Sequence, residues 1–515
     1  MVDRHVVLAA KGGGMVFAGR LFVWGTRFGM AVLLARQMGA DSYGLYNVTL
    51  TIATLGSAFS VIGLDSALIR YVAVYSRRMD RLGVLGTLRV GIGLPMLVSG
   101  GAALILLLLA APAARLAGDV RLEPLIRIGA VLVPAMVSNS LLAATLQGAQ
   151  RIGWAVLAEQ FAQPTVRLAI LLVLTVIGMT PEGAVMASTL ATLAATALLL
   201  WFVQRQISLE GIAGEVRAEP GTMLRFSLPV YFSNLVNTFG GNLQTLLLGA
   251  MASMAKAGVF GIANQVMLVG AIFHSAVVQA AMPIFAELQD SEDRSRLNAL
   301  YRTTSKWTFT LNLPFFLLAV LMPEALLGIF GSDFTSGATA LTILAFASLT
   351  NAATGTSGAI LDMTGHTSVK LVNSTVSVGL AIVLNLLLIP SLGVTGAAIA
   401  SLGSVASVNL LRVGEVAWLV HVGPYDRSWV KPVIAGIAAA TVGWALLLGL
   451  QNVASLLVRS GVAALGLAAT YVLVLLVLRL SDDDRIIVSR AARKFTRRRG
   501  GPAGLAQASP GREPT

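Results

Sequence analysis

The sequence contains no cysteine, which excludes disulfides, thiolate nucleophiles and metal sites built on thiolates. Histidine is also scarce, and the four histidines are scattered without the short spacings that metal ligands require. The sequence lacks the Gly-x-x-x-x-Gly-Lys-Ser/Thr pattern of a phosphate-binding loop, so we do not expect this chain to hydrolyse ATP. We expect neither a cofactor nor a metal.

Charged residues are scarce as well, at 12% of the 515 residues, whereas 56% are hydrophobic and the mean hydropathy is +0.80. This composition is too apolar for a soluble globular protein. The formal net charge is +13, but the basic residues lie in short segments that flank apolar runs. They indicate contact with the membrane surface rather than with nucleic acid. The sequence therefore predicts an all-α polytopic membrane protein.

Apolar runs of roughly 20 residues, the length that spans a bilayer as a helix, recur along the whole chain and predict about fourteen transmembrane helices. The predicted ranges are 14–36, 43–75, 84–111, 122–148, 153–177, 182–204, 221–250, 257–287, 298–321, 337–363, 367–389, 394–420, 431–450 and 456–479. They group into an N-terminal lobe of six helices (1–210), a C-terminal lobe of six helices (211–425) and two further helices (426–480). Residues 481–515 form a basic tail, which we expect to be disordered in the cytoplasm and to contact anionic lipids.

Lysine and arginine are concentrated in alternate loops, which the positive-inside rule assigns to the cytoplasm. The intervening loops hold little basic charge beyond Arg115, Arg121 and Lys256. This alternation and the even number of helices place both termini in the cytoplasm. The outer loops are all short.

Two parts of the chain match each other. Residues 31–47 align with residues 245–261 at an offset of 214, so that Gly44 matches Gly258. Residues from 178 onward match those from 392 at nearly the same offset. Two six-helix units that enter the membrane in the same direction form a parallel repeat about an axis along the membrane normal. We therefore predict two lobes around a central cavity, an arrangement that suits alternating access.

The first predicted helix carries Arg20 and Arg27, which share one face because seven residues make about two turns. An arginine at mid-bilayer costs at least ~2.5 kcal/mol, so this face must contact protein or a water-filled cavity. Arginine offers a planar fork of donors, which suits a diphosphate. The alternative is that the two arginines pair with Asp65 or Glu159 and hold the lobe together.

At the matching offset, the second lobe has Asn234 and Gly241 in place of the two arginines. We therefore expect anion affinity to reside mainly in the first lobe. The seventh and eighth predicted helices carry a set of amides and one imidazole, which could line a sugar site or simply bond one helix to another. That set comprises Asn234, Asn237, Asn242, Gln244, Asn264, Gln265, His274 and Gln279.

Four ionisable residues within apolar runs have alternative interpretations. Asp65 is either a coupling carboxylate or the partner of Arg70 or Arg20, and His274 is either a packing residue or a proton carrier. Glu159 and Arg167 flank Pro164, which interrupts the helical hydrogen bonding and could act as a hinge. Candidate substrate-binding residues are Arg20, Arg27, Asn47, Asp65, Arg70, Asn234, Asn237, Gln265 and Gln279. Candidate ion-coupling residues are Asp65, Glu159 and His274.

Residues 39–46, GADSYGLY, and 63–71, GLDSALIRY, resemble motifs of the polysaccharide transporter branch of the multidrug/oligosaccharidyl-lipid/polysaccharide flippase superfamily. The resemblance extends over residues 1 to about 480 in helix number and two-lobe organisation. It implies a non-enzymatic flippase that moves undecaprenyl-pyrophosphate-linked oligosaccharide across the bacterial cytoplasmic (inner) membrane. Related lipid II flippases use cavity arginines for the pyrophosphate, and Arg20 and Arg27 are in matching places. The implied partners are a lipid-linked glycan, membrane lipids, and glycan polymerase and chain-length proteins.

Two other functions remain in competition. A cation-coupled drug or metabolite antiporter of the related exporter branch should have an acidic cavity, whereas the first helix here has arginines and no acidic residue. An integral-membrane glycosyltransferase or polymerase usually places catalytic acids on a long external loop. The short outer loops of this sequence disfavour that class.

Overall fold

A computed structural model of the chain describes residues 2–207, 216–217, 219–291, 293–452 and 455–478, with the backbone alone at 2–18, 20, 21, 283 and 367. These residues form helices and contain no strand. The predicted tail, 481–515, lies outside the described residues. In chain order the α-helices are α1 (Val2–Val61), α2 (Leu64–Arg77), α3 (Arg81–Leu116), α4 (Leu122–Gly148), α5 (Ile152–Val156), α6 (Gln163–Ile177), α7 (Pro181–Gln206), α8 (Pro220–Met251), α9 (Met254–Asp290), α10 (Arg294–Leu321), α11 (Pro323–Gly328), α12 (Ala338–Thr354), α13 (Ser357–Met363), α14 (Thr367–Leu392), α15 (Val394–Leu419), α16 (Val430–Gly449) and α17 (Leu456–Val477).

The all-α polytopic membrane fold is confirmed. Within the described ranges, ten helices are long and apolar enough to cross a membrane, and the bent pair Phe22–Val61 and Leu64–Arg77 makes an eleventh. The remaining predicted spans coincide with the first part of α1 and with α8 and α10, which are 32 and 28 residues long but richer in polar residues. Their polar content lowers the hydropathy without breaking the helix.

Glycine breaks the first long helix at two places. At Gly39 the backbone takes φ 70° and ψ 177°, which turns the chain between the first two predicted spans. A second break lies between α1 and α2, where Ile62 and Gly63 both have positive φ and the axis bends by 45°. The predicted helix 43–75 is therefore two helices, and Asp65 lies in the first turn of the second one.

The two halves of the chain meet backbone to backbone between α1 and α9. A Cβ atom at Gly44 would collide with the carbonyl oxygen of Met254, and one at Gly258 would collide with the carbonyl oxygen of Ala40. These two pairs are related by the offset of 214, so the contact is reciprocal. Reciprocal contact between equivalent residues is the mark of a two-fold axis, which is what the predicted parallel repeat requires.

Polar contacts join the two halves at the end of the bundle that carries Gly39, hereafter the Gly39 end. Arg36 Nε donates to the carbonyl oxygen of Ile329 at 2.7 Å, and the amide of Ala40 donates to Asp333 Oδ2 at 3.4 Å. At the same end the Asp119 carboxylate accepts hydrogen bonds from the Arg121 side chain, which lowers the pKa of that carboxyl. The Gly39 end is thus closed by direct contact between the halves.

We predict that Gly44→Ala and Gly258→Ala each lower the melting temperature of the purified protein. The added methyl must displace a backbone carbonyl, and overpacking of this kind costs about 1–3 kcal/mol. Gly93→Ala in α3 is the matched control, because a Cβ there meets no atom within 4 Å and alanine favours the helix. Equal melting temperatures for the Gly44 and Gly93 variants, measured in detergent, would contradict the tight contact.

Candidate functional site

A cavity of about 220 Å³ lies within the N-terminal half, hereafter the first-lobe cavity. Arg27 reaches it from α1, Arg167 from α6, and Glu159 from the segment between α5 and α6. That segment, Leu157–Ala162, is a π-helix that directly precedes the turn containing Pro164. Three charged side chains thus converge inside a membrane-embedded bundle, where charge is tolerated only in such a cavity.

The arginines of this cavity lack carboxylate partners. Within the described part of the chain, no ion pair of 4.0 Å or less involves Arg27 or Arg167. The Arg167 guanidinium carbon lies 5.7 Å from the ring centroid of Tyr46, and its Nε is buried without a hydrogen-bond partner in the structure. The arrangement can accept an anion without first breaking an ion pair.

A second cavity, of about 380 Å³, lies between the two halves and is hereafter the central cavity. Asp65 lines it from one half and Asn234 and Asn237 from the other, together with hydroxyl side chains. The structure therefore brings three of the predicted site residues to one place. Asp65 Oδ1 accepts a hydrogen bond from the amide of Ser66 at 2.8 Å, as suits a carboxylate in the first turn of a helix.

The structure does not pair Asp65 with Arg70. The Arg70 guanidinium carbon is instead 4.5 Å from the ring centroid of Phe226, a cation–π contact between α2 and α8. The side chain of Arg20, the other partner considered for Asp65, lies outside the described residues. Arg70 is exposed and is not among the described residues that line the central cavity.

The largest of these cavities, about 560 Å³, lies in the C-terminal half and is hereafter the second-lobe cavity. Amide and hydroxyl side chains dominate its polar lining: Asn237, Gln244, Asn264, Ser348, Asn351, Ser374, Ser377, Ser401, Ser404 and Asn409. Gln244 Nε2 donates to Ser401 Oγ at 3.2 Å. Arg412 of α15 also lines this cavity, so the C-terminal half contributes a cation that the comparison of repeats did not indicate.

The remaining predicted site residues lie outside the three cavities. Asn47 is half-buried between the halves, where a Cβ atom at its repeat equivalent, Gly261, would collide with the Asn47 amide. Gln265 and His274 are half-buried in α9, and Gln279 is exposed on the same helix. The Nδ1 atom of His274 is buried without a hydrogen-bond partner in the described structure.

Sequence reasoning missed two arginines as site residues, Arg167 and Arg412. Both lie within long apolar stretches, and the rule that singled out Arg20 and Arg27 applies equally to them. No sequence pattern indicates which arginines line the same cavity.

The sequence profile of the polysaccharide biosynthesis protein family matches residues 9–289, more than half of the chain, and the MatE profile matches residues 229–387. The chain therefore belongs to the polysaccharide biosynthesis protein family, within the polysaccharide transporter branch of the multidrug/oligosaccharidyl-lipid/polysaccharide flippase superfamily. The branch predicted from residues 39–46 and 63–71 is confirmed.

One curated relative and two solved structures illustrate the similarity. A Haloferax volcanii protein, described as a probable low-salt glycan biosynthesis flippase, is 22% identical over 232 residues, which cover 44% of this chain and 49% of the relative. The lipid II flippase MurJ in an inward closed conformation has a TM-score of 0.69 at 12% identity, covering 90% of this chain and 98% of that one. An inward-facing multidrug transporter of the MATE family has a TM-score of 0.64 at 15% identity, covering 76% of this chain and 98% of that one. At these identities, the structures establish the fold alone.

We predict that Glu159→Gln leaves the melting temperature close to that of the unmodified protein. The substitution removes a charge that pairs with neither Arg27 nor Arg167, whereas removing one partner of a buried ion pair costs about 3–5 kcal/mol. Asp362→Asn is the comparison variant, because its carboxylate pairs with Lys370 in a partly exposed ion pair, whose loss should be moderately destabilising. A large destabilisation by Glu159→Gln would instead assign Glu159 to holding an arginine in place.

Proposed function

We propose that the protein is a flippase for lipid-linked oligosaccharides of the undecaprenyl-pyrophosphate type, used in polysaccharide biosynthesis. The observation that carries the proposal is the first-lobe cavity, in which Arg27 and Arg167 have no carboxylate partner within the described part of the chain. Two guanidinium forks at one cavity suit the several oxygens of a diphosphate. The relative described as a probable glycan biosynthesis flippase and the family membership support the same substrate class.

The other two cavities suit the rest of this substrate. Apart from Asp65 in the central cavity and Arg412 in the second-lobe cavity, the polar linings of these cavities are amides and hydroxyls, which both donate to and accept from sugar hydroxyls. Together with the first-lobe cavity they would hold a charged head and a glycan within one bundle. Translocation then requires no chemistry on the substrate, and we propose a non-enzymatic transporter.

We propose that transport proceeds by alternating access. The two halves contact each other backbone to backbone between α1 and α9 and through Arg36, Ala40 and Asp333 at the Gly39 end. If the halves rock about the α1–α9 contact, the hydrogen bonds of Arg36 and Ala40 at the Gly39 end break when that end opens and the opposite end closes. Asp65, Glu159 or His274 would then serve as coupling groups.

The orientation we propose places the Gly39 end outside and both termini in the cytoplasm of a bacterium, with the protein in the cytoplasmic (inner) membrane. The basic loops support this orientation. Membrane lipids surround the bundle, and glycan polymerase and chain-length proteins would act on the exported product. We consider a cation-coupled antiporter less well supported, because two arginines face one glutamate in the first-lobe cavity.

We predict that Arg27→Ala abolishes glycan export in a strain that lacks the gene, and that Arg27→Lys restores only part of it. A point charge cannot reproduce the planar fork, and a hydrogen bond to a charged group contributes about 1.5–3 kcal/mol. Arg20→Ala should behave in the same way. The control is Arg127→Ala, because Arg127 pairs with Glu123 on an exposed face of α4. Normal export by well-folded Arg27→Ala, scaled to protein in the membrane, would refute the proposal.

The proposed orientation can be tested with single cysteines, since the natural chain has none. Ser391→Cys should react in intact cells with a thiol reagent that does not cross the membrane. Ser76→Cys and Ser291→Cys should react only after the cells are permeabilised. All three serines are exposed, so differences in labelling report the side of the membrane. The reverse pattern would invert the topology.

A further inference from the structure

The second-lobe cavity has an unbalanced charge. Among the described residues that line it, Arg412 is charged, and the others are amides, hydroxyls, glycine or apolar side chains. No acidic side chain belongs to that described lining. The cavity is therefore polar and net positive, although its position in the repeat predicted an uncharged lobe. A cation at this depth requires a counter-charge, and the ligand is one source of it.

Two carboxylates, Asp362 and Glu415, act electrostatically on Arg412 from beyond ion-pair distance. Glu415 accepts a hydrogen bond from Asn373 at 2.5 Å, and Asp362 pairs with Lys370. Within the described ranges, neither carboxylate forms an ion pair with Arg412. Both carboxylates thus have other partners, which leaves the arginine able to bind a further anion.

The guanidinium group of Arg412 has an unused hydrogen-bond donor. Arg412 Nε is buried without a hydrogen-bond partner in the structure. A Cβ atom at Gly358 would lie 3.8 Å from Arg412 Nη1, an ordinary van der Waals distance, so Gly358 packs beside the guanidinium group. A fork with unused donors suits the two oxygens of a carboxylate.

The amides beside Arg412 are ordered by contacts with each other. Asn409, three residues before Arg412 on the same face of α15, donates from Nδ2 to Asn351 Oδ1 at 3.2 Å. This bond leaves Asn409 Oδ1 as an acceptor and Asn351 Nδ2 as a donor. Donors and acceptors in alternation match sugar hydroxyls. The guanidinium group of Arg412 lies beside them in the same cavity lining.

We infer that the second-lobe cavity binds a sugar residue that carries a carboxylate, with Arg412 holding the carboxylate and the neighbouring amides holding the hydroxyls. The inference rests on the proposed function, because it concerns the glycan part of that substrate. A neutral sugar would form no charge pair with Arg412, and a cationic amino sugar would be repelled. The diphosphate remains the ligand of Arg27 and Arg167 in the first-lobe cavity.

The test compares two soluble probes by isothermal titration calorimetry with the protein in detergent. One is a tetrasaccharide that ends in glucuronate and carries a citronellyl diphosphate, and the other is its carboxyl-reduced form. The unmodified protein should bind the acid at least about tenfold more tightly, since a hydrogen-bonded charge pair is formed only with the carboxylate. Arg412→Gln should abolish this preference by weakening the binding of the acidic probe alone.

Arg459→Gln is the matched control, because Arg459 of α17 is half-buried with an unpartnered Nε but lies outside the three cavities. It should keep the preference. If Arg412→Gln melts at a lower temperature, Arg412→Lys, which retains the charge without the fork, should keep part of the preference. A preference retained in a well-folded Arg412→Gln protein would overturn the inference.

The two proposals fail in different ways. If the first-lobe cavity holds the diphosphate, Arg27→Gln should weaken the binding of both probes by the same factor. If it does not, the proposed function is contradicted and the inference about Arg412 is not. Equal binding of the two probes by the unmodified protein, or binding of neither, would overturn the inference about Arg412. Loss of binding of both probes by the Arg412→Gln protein would also overturn it, because that result assigns Arg412 to the diphosphate.

Discussion

The architecture depends on a direct contact between two helix backbones, where Gly44 of α1 packs against Gly258 and Met254 of α9. In a bilayer no hydrophobic effect drives helices together, so close packing of small residues must do so. Only glycine allows the backbones to approach this closely at both positions. The contact brings together equivalent parts of the two halves, one of which contains the first-lobe cavity and the other the second-lobe cavity.

Much of the fold could be predicted from the sequence because membrane helices have a simple length and composition rule. The spans, the family motifs and the register of Gly44 on Gly258 all follow from residues read in order. The breaks within helices were harder to predict. The bend at Gly63 occurs within an apolar run whose composition alone is compatible with one continuous helix.

The site was less predictable than the fold, for a physical reason. Helical spacing tells which residues share a face of one helix, as it did for Arg27, but a cavity is formed by several helices whose rotation is set by packing. Arg167 and Arg412 therefore remained unassigned, although each is a costly charge in an apolar stretch. Asp65 and Asn234 were both candidates from sequence, but only the tertiary structure places them in the same cavity.

The π-helix Leu157–Ala162 has a consequence for how the chain can vary. A π-turn takes in one residue more than an α-turn, and each residue turns an α-helix by about 100°. The extra residue therefore sets the rotation of everything that follows it, including Arg167. Deleting a single residue here, while keeping the helix intact, would rotate the guanidinium by about 100°, away from the first-lobe cavity. The length of this short segment thus determines the direction in which the arginine side chain leaves the helix.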